Sequence, residues 1–258
     1  MRIEDADTPR TVAGAADDIL RTLEAFGMRW DGSVMYQSER SDAYRAALEA
    51  LQSAGKVYPC GCSRREIADS AISGIEGYVY PGTCRNGLAA GRDARAWRVR
   101  TDGAVIAFDD AIQGRVTHDL TKDIGDFVLY RADAIYAYQL AVVVDDAEQE
   151  ITHVVRGADL LESTPRQIYL QRLLGHATPQ YAHLPVAVNA AGQKLSKQTL
   201  APAIDASNAP AALTGVLHFL GQQAPARLDR ASVDEIWRWA GESWRLASVP
   251  RARSKPVD

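Results

Sequence analysis

The sequence predicts an α/β fold, and three observations support this prediction. Two stretches, 137–144 and 151–156, are apolar and rich in β-branched residues, as expected of buried strands. The second stretch is followed by a segment, 165–174, that is expected to form a helix. Buried strands that lead into helices are typical of α/β proteins.

The first 55 residues are expected to form two helices of this fold. The first ends before Gly27, and its apolar residues recur at helical spacing: Ile19, Leu20, Leu23 and Phe26. The second runs from about Asp42 to Gly55, and three residues are expected on its buried face: Ala46, Leu48 and Leu51.

The remaining elements follow in order along the chain. Short alternating stretches between 97 and 129 predict antiparallel strands that form an insertion. The helix over 165–174 is expected to have Thr164 as its cap, with Gln167 reaching back to it. Further helices are predicted over 210–220 and from Ser232, which begins a capping box. The basic stretch 250–256 is expected to fray, and three tryptophans are expected to pack in the core: Trp237, Trp239 and Trp244.

The composition is that of an ordinary globular protein. Its 258 residues are 47% hydrophobic and 24% charged, with a formal net charge of −4. This acidic balance argues against non-specific adhesion to nucleic acid, which depends on a surplus of Lys and Arg. The opening residues do not form a secretory signal, and no apolar run approaches the roughly 18 residues that span a bilayer. We therefore expect a cytoplasmic protein with no membrane partner.

Three cysteines lie close together in the sequence and predict a metal site: Cys60, Cys62 and Cys84. In a reducing compartment such a cluster indicates a metal site rather than a disulfide. Zn²⁺ takes four N, S or O ligands in a tetrahedron, and a closed site of this kind is structural. No histidine lies between 57 and 100, so the fourth ligand is a water or one of three nearby side chains: Glu76, Tyr78 or Tyr80. The alternative is three ordinary buried cysteines.

A loop with two lysines follows a strand-like stretch over 183–189. Its lysines flank a serine, in the order Lys194, Leu195, Ser196 and Lys197, and Gly192 supplies the bend before them. Two lysine ammonium groups on a short loop can neutralise a polyphosphate. The alternative is a solvated loop, because this pattern also occurs by chance.

Five segments resemble, in the same order, those of glutamyl-tRNA synthetases and their shorter glutamyl-queuosine tRNA(Asp) relatives: 2–5, 60–84, 138–146, 156–160 and 194–198. The last segment is similar to the KMSKS signature of class I aminoacyl-tRNA synthetases. The resemblance implies a class I synthetase Rossmann-like core with a zinc-stapled insert and a small helical C-terminal region. It also implies Tyr80 as the fourth zinc ligand. The implied domains are a first half of the core over 1–55, an acceptor-binding-like zinc insert over 56–130, a second half of the core over 131–186, and the lysine loop with the helical region over 187–258.

The resemblance also implies a glutamate site. Arg156 would hold the distal carboxylate through its two-pronged guanidinium, Glu4 would pair with the ammonium, and Tyr138 would supply a hydroxyl. Taken singly, each residue has a simpler interpretation. Arg156 could form a structural ion pair with Asp159 or Asp145, Glu4 could be solvated, and Tyr138 could be a core residue.

The implied activity is the ATP-dependent activation of L-glutamate and its transfer to queuosine in the anticodon of tRNA(Asp). Lys194, Ser196 and Lys197 would bind ATP together with Mg²⁺, and Lys197 would stabilise the charge that develops during the reaction. In this family the fold opens with a strand and a His-Ile-Gly-His type signature. Neither precedes Arg2, so the implied core is N-terminally incomplete.

Two alternatives follow from these departures. One is a truncated, catalytically inactive derivative that binds tRNA or protein. The other is a compact glutamyl-tRNA synthetase that charges tRNA(Glu). The second is disfavoured because the chain after the lysine loop is too short for a long helical anticodon-binding region. We expect a monomer.

Overall fold

The structure is a computed structural model that describes residues 1–70, 72–75, 77–196, 199 and 201–257. Within these residues, none of the helices combines the length and the apolar character needed to cross a bilayer. The α-helices of the described chain are α1 (Ala15–Ala25), α2 (Ser41–Ser53), α3 (Arg64–Ser70), α4 (Leu120–Asp123), α5 (Tyr138–Glu148), α6 (Thr164–Leu174), α7 (Ala209–Phe219) and α8 (Val233–Ser243).

The strands are short, with two to six residues each. They are β1 (Arg2–Ile3), β2 (Met35–Tyr36), β3 (Val57–Cys60), β4 (Ile72–Gly74), β5 (Gly77–Val79), β6 (Ala96–Val99), β7 (Val105–Asp110), β8 (Gly114–Asp119), β9 (Val128–Tyr130), β10 (His153–Gly157), β11 (Gln180–Leu184), β12 (Val186–Val188) and β13 (Ser254–Pro256). Helices separate most of the parallel strands, whereas β4 to β8 follow one another with no α-helix between them in the described part of the chain.

The largest sheet carries the strand on which Arg156 lies. Its order is β10, β11, β7 and β8, with β10, β11 and β7 parallel and β8 antiparallel. The strands β3, β6 and β9 form a separate antiparallel sheet. The main hydrophobic core lies between this second sheet and the helices α2, α5 and α6. Thus β7 and β8, which belong to the predicted insertion, pair within the same sheet as β10 and β11.

The stretch 137–144 is a helix, and the prediction of a strand there was wrong. Helix α5 begins at Tyr138. It packs against α2, α6 and β9, so four consecutive residues are buried: Leu140, Ala141, Val142 and Val143. A helix that is enclosed on most sides is apolar around its circumference. Its short apolar run therefore cannot be distinguished from a buried strand by periodicity.

A buried carboxylate anchors α5 to the elements that precede it. The Asp145 side chain is fully buried. It accepts hydrogen bonds from Gln37 Nε2 at 2.7 Å, Arg40 Nε at 2.6 Å and the Tyr44 hydroxyl at 2.8 Å. Because Tyr44 and Arg40 flank the start of α2, Asp145 fixes how α2 packs on α5.

Two details of the predicted helices were also wrong. Ala46 is exposed, and Tyr44, which is 1% exposed, joins Leu48 and Leu51 on the buried face of α2. Thr164 is the first residue of α6 rather than its cap. Its hydroxyl donates to the carbonyl of Leu160 at 3.2 Å. The predicted capping box at Ser232 is confirmed.

The basic stretch 250–256 is ordered, which corrects the expectation that it frays. Residues of β13 pair in parallel with β12, so that Val186 lies opposite Ser254 and Val188 opposite Pro256. Arg253 forms an ion pair with Glu162 at 2.6 Å. The basic side chains therefore have partners that hold the segment against the sheet.

The predicted burial of the tryptophans is correct for one of the three. Trp239 packs against the apolar cluster of α7 and α8. Trp237 and Trp244 are 40% and 41% exposed. Trp237 nevertheless donates from Nε1 to the carbonyl of Phe26 at 2.7 Å, and Phe26 packs in the same cluster. The end of α1 is therefore in contact with α7 and α8.

Candidate functional site

The three residues predicted to bind glutamate line one cavity. Its volume is about 460 Å³, and Glu4, Tyr138 and Arg156 all contribute to its wall. Arg156 lies near the end of β10, Tyr138 begins α5, and Glu4 follows β1. An anionic and a cationic side chain therefore face one open space together with a phenol.

Arg156 is held by neutral acceptors. Its Nε donates to His183 Nε2 at 3.1 Å, and its Nη2 donates to Thr164 Oγ1 at 2.8 Å and to Gln167 Oε1 at 2.7 Å. The simpler interpretation of an ion pair does not describe these contacts. Asp145 is bound by Arg40, and Asp159 is paired with Lys194. Among the described residues, Arg156 Nη1 has no hydrogen-bond partner, so one prong of the guanidinium remains available to a ligand.

Tyr138 and Glu4 complete the polar wall of the cavity. Burial raises the pKa of Tyr138, and the charge of Glu4 adds to this while Arg156 opposes it. The phenol therefore remains protonated near neutral pH and can donate a hydrogen bond. Glu4 is exposed, with 41% of its side chain accessible, and it pairs with Arg2 at 3.0 Å. Arg2 also binds Asp146 at 2.7 Å, which fixes the strand that precedes Glu4 against α5.

Two buried residues behind Arg156 were not identified from the sequence. The side chains of Asp110 and His183 are fully buried, and His183 Nδ1 lies 2.6 Å from Asp110 Oδ2. Asp110 ends β7 and His183 lies in the neighbouring β11. His183 alternates with the buried Tyr181, which was a signal that this histidine faces the core. Asp110 alternates in the same way with the buried Ile106 and Phe108, but the pairing of these two residues, distant in sequence, had no local signal.

The lysine loop begins at the edge of the same cavity. Lys194 forms an ion pair with Asp159, whose neighbour Leu160 lines the cavity. The loop starts from a tight turn in which Asn189 Oδ1 accepts from the backbone of Ala191 and Gln193. Lys197 and Gln198 lie outside the described residues. The described part of the loop therefore places Lys194, but not Lys197, beside the predicted glutamate pocket.

The three cysteine thiols converge on the hydroxyl of Tyr80. The three Sγ atoms lie within 4.8 Å of one another. Cys62 and Cys84 are 3.6 Å apart, and the Tyr80 oxygen lies 3.4 Å from Cys60 Sγ and 3.5 Å from Cys62 Sγ. Of the other ligands considered, Tyr78 is 60% exposed and does not join this cluster, and Glu76 lies outside the described residues. The cluster could hold a metal ion.

The spacing of these four atoms can be compared with that of a tetrahedral zinc site. With Zn–S near 2.3 Å and Zn–O near 2.0 Å, ideal edges are about 3.8 Å between sulfurs and about 3.5 Å between sulfur and oxygen. The distances around Tyr80 are close to these values. Three of the six edges of such a tetrahedron, those joining Tyr80 to Cys60 and Cys62 and joining Cys62 to Cys84, are therefore close to the ideal lengths.

Comparison with known proteins gives consistent results. The family model for class I tRNA synthetases (E and Q), catalytic domain, matches residues 1–210. The chain is 61% identical over 253 residues to a glutamyl-Q tRNA(Asp) synthetase of Dechloromonas aromatica, which covers 97% of this chain and 84% of that protein. It is 59% identical over 250 residues to the protein of the same name from Chromobacterium violaceum, which covers 97% of this chain and 83% of that protein.

A solved structure shares the fold. The crystal structure of a glutamate-tRNA synthetase from Elizabethkingia anophelis superimposes on the whole of this chain with a TM-score of 0.76 and 23% identity. The chain spans 60% of that protein's length. The α/β, class I synthetase-like fold predicted from the sequence is confirmed.

Proposed function

The chain belongs to the class I tRNA synthetase family for glutamate and glutamine, and on that premise we propose that it activates L-glutamate with ATP and transfers the glutamyl group to queuosine in the anticodon of tRNA(Asp). The close relatives carry the name glutamyl-Q tRNA(Asp) synthetase. Their identity of about 60% extends over nearly the whole chain, which favours this substrate over tRNA(Glu).

The glutamate assignment depends on one observation: Arg156, Glu4 and Tyr138 lie around one cavity. Glutamate has a distal carboxylate, an ammonium and a reacting α-carboxylate. A guanidinium suits the first group because the N–H donors of the remaining Nη1 can form charge-assisted hydrogen bonds with a carboxylate. The Glu4 carboxylate suits the second group, and the protonated Tyr138 can donate to a ligand oxygen. The cavity of about 460 Å³ lies within the range of small-molecule sites.

The lysine loop is assigned to the phosphates of ATP. An oxygen of the glutamate α-carboxylate bonds to the α-phosphorus, and the bond from that phosphorus to the β-bridging oxygen breaks, which releases pyrophosphate. Negative charge grows on the leaving oxygens, and Lys197, with Lys194 and Ser196, would stabilise it. Lys194 pairs with Asp159, so ATP would replace a carboxylate at this lysine. ATP would bring Mg²⁺ with it.

In the second step the acceptor hydroxyl attacks the carbonyl carbon of glutamyl-adenylate. A new ester bond forms, AMP leaves, and the hydroxyl loses its proton. On queuosine the acceptor would be a hydroxyl of the cyclopentenediol ring. The same cavity would hold the glutamyl group in both steps, because Arg156 and Glu4 bind parts of glutamate that do not react.

We also propose that the cysteine cluster holds one structural zinc ion, with Cys60, Cys62, Cys84 and Tyr80 as ligands. The match between the observed distances and the edges of a tetrahedron supports this set. Such an ion would join the end of β3 to the segment that contains Tyr80 and Cys84. A closed site leaves no position for substrate, so the role of the metal would be to stabilise the fold.

The activation step is tested by pyrophosphate exchange. The full-length protein is incubated with ATP, labelled pyrophosphate and glutamate in the absence of tRNA, and label is expected to enter ATP. Aspartate and glutamine serve as controls and should support little exchange. Absence of glutamate-dependent exchange would refute the proposed activation and would favour a non-catalytic derivative that binds tRNA.

The acceptor is tested with labelled glutamate and three purified tRNAs. Label should enter queuosine-containing tRNA(Asp) but not the same tRNA with guanosine at that position. It should also not enter tRNA(Glu). Labelling of tRNA(Glu) alone would identify a compact glutamyl-tRNA synthetase instead. ATP and tRNA are cytoplasmic substrates, so we place the protein in the cytoplasm, and a monomer remains our prediction for its oligomeric state.

A further inference from the structure

We propose that Asp110 and His183 act as a positioning pair that aims Arg156 at the distal carboxylate of glutamate. This inference rests on the proposed function and extends it to residues behind the pocket. His183 touches Arg156 but does not line the cavity, and Asp110 touches only His183 among these groups. Neither residue would contact the substrate.

The hydrogen bonds determine which nitrogen of His183 carries the proton. The Arg156 guanidinium has only donors, so His183 Nε2 must accept the bond from Nε at 3.1 Å. The proton of the neutral ring then lies on Nδ1, which donates to Asp110 Oδ2 at 2.6 Å. His183 therefore accepts from the arginine only while Asp110 holds its ring in this tautomer.

Asp110 is itself fixed. Its Oδ1 accepts from three backbone N–H groups, those of Ile112 at 3.0 Å, Gln113 at 2.8 Å and His183 at 3.1 Å. Burial alone would raise the pKa of Asp110, but these bonds and the His183 side chain outweigh it and lower the pKa below the ordinary value. The carboxylate remains ionised, with Oδ2 directed at the imidazole.

The charge around His183 favours the neutral ring. Burial lowers the pKa of His183, and the positive charge of Arg156 adds to this, whereas Asp110 and Asp159 oppose it. A protonated ring would turn Nε2 into a donor that faces the donor of Arg156. The neutral ring, together with Thr164 and Gln167, occupies Nε and Nη2 and leaves Nη1 for the ligand.

The substitution Asp110→Asn tests this arrangement with almost no change of volume. The three backbone donors require oxygen at the Oδ1 position, so the new amide nitrogen must replace Oδ2. That nitrogen donates, which forces His183 Nδ1 to accept and moves the ring proton to Nε2. Nε2–H then opposes Arg156 Nε–H. Because one charge-assisted bond is lost, we expect the glutamate KM in pyrophosphate exchange to rise at least about tenfold, with the ATP KM changed less than threefold.

A second pair of variants separates positioning from packing. His183→Gln keeps a donor toward Asp110 and an acceptor toward Arg156, so the glutamate KM should remain within about threefold of the unmodified protein. His183→Leu removes the acceptor and should behave like Asp110→Asn. The matched control is Asp109→Asn, next in sequence, whose exposed side chain pairs with Arg115 at 2.7 Å. Thermal unfolding is measured for every variant.

The ring tautomer gives a readout that does not depend on activity. In the ¹⁵N-histidine spectrum of the unmodified protein, the signal lost in His183→Gln should show the proton on Nδ1, and Asp110→Asn should move it to Nε2. A proton on Nε2 in the unmodified protein would overturn the proposal, as would equal glutamate KM values for His183→Gln and His183→Leu. A missing glutamate-dependent exchange in the unmodified protein would refute the proposed function instead, and the spectrum would still decide the tautomer.

Discussion

The substitution Arg156→Lys should weaken glutamate recognition far more than its conserved charge suggests. Arg156, which lines the cavity, uses Nε and Nη2 to bind three buried side chains, and Nη1 has no partner among the described residues. A lysine has a single nitrogen, which cannot satisfy His183, Thr164 and Gln167 and also reach a carboxylate. The loss of one or two charge-assisted bonds to the ligand, each about 1.5–3 kcal/mol, predicts a fall in kcat/KM for glutamate of at least about tenfold.

The assay is glutamate-dependent pyrophosphate exchange at several glutamate concentrations. Most of the loss should lie in the glutamate KM, because the group that we propose Arg156 binds does not react. Arg172→Lys, an exposed position on α6, is the control and should be unchanged. If kcat/KM for Arg156→Lys remains within about threefold of the unmodified protein, Arg156 does not bind the distal carboxylate and the glutamate assignment fails.

Four further predictions concern the rest of the molecule. Elemental analysis should find one zinc per chain. Tyr80→Phe keeps the ring but removes the oxygen, so it should lower the zinc affinity by about 10- to 100-fold in chelator competition. Unchanged affinity would remove Tyr80 from the ligand set. Lys197→Ala should slow adenylate formation more than Lys194→Ala does in single-turnover assays, whereas equal and mild effects would indicate a solvated loop. Asp145→Ala leaves three buried donors unpaired and should cost about 3–5 kcal/mol in urea unfolding; a loss below about 1 kcal/mol would contradict this. Burial lowers the pKa of His183, so the native ring stays neutral where the unfolded ring binds a proton, and the free energy of unfolding should fall as pH drops below about 6.5. The urea midpoint of His183→Gln should therefore fall less between pH 7 and pH 5.5 than that of the unmodified protein. Equal falls would show that His183 does not titrate on unfolding.

The sequence predicted those parts of the site whose residues have a local pattern. The cysteine spacing and the nearby Tyr80 lie in one short segment, and the structure brings these groups together. Arg156 lies near the end of a strand, β10, and the lysine loop follows another, β12. In each case the chemistry is visible because neighbouring residues in sequence are also neighbours in space.

Where the prediction failed, the deciding contacts were distant in sequence. Helix α5 was interpreted as a strand because its packing against α2, α6 and β9 conceals the helical period of its apolar residues. The pairing of Asp110 with His183 gave no signal because the two residues lie 73 positions apart. The order of the basic stretch 250–256 depends on pairing with β12. No local property of these segments contains that information.

The pairing of β13 with β12 joins the two ends of a long segment of the chain, 189–253. The lysine loop and the helices α7 and α8 all lie between these two strands, whose ends are held side by side by backbone hydrogen bonds. Closing a long segment costs chain entropy, and the folded helices between its ends reduce this cost. Melting of α7 and α8 would therefore weaken the pairing of β12 with β13, next to the lysine loop. On heating, we expect these helices to melt first. The proposed binding of ATP by the lysine loop should then be lost before the glutamate pocket unfolds.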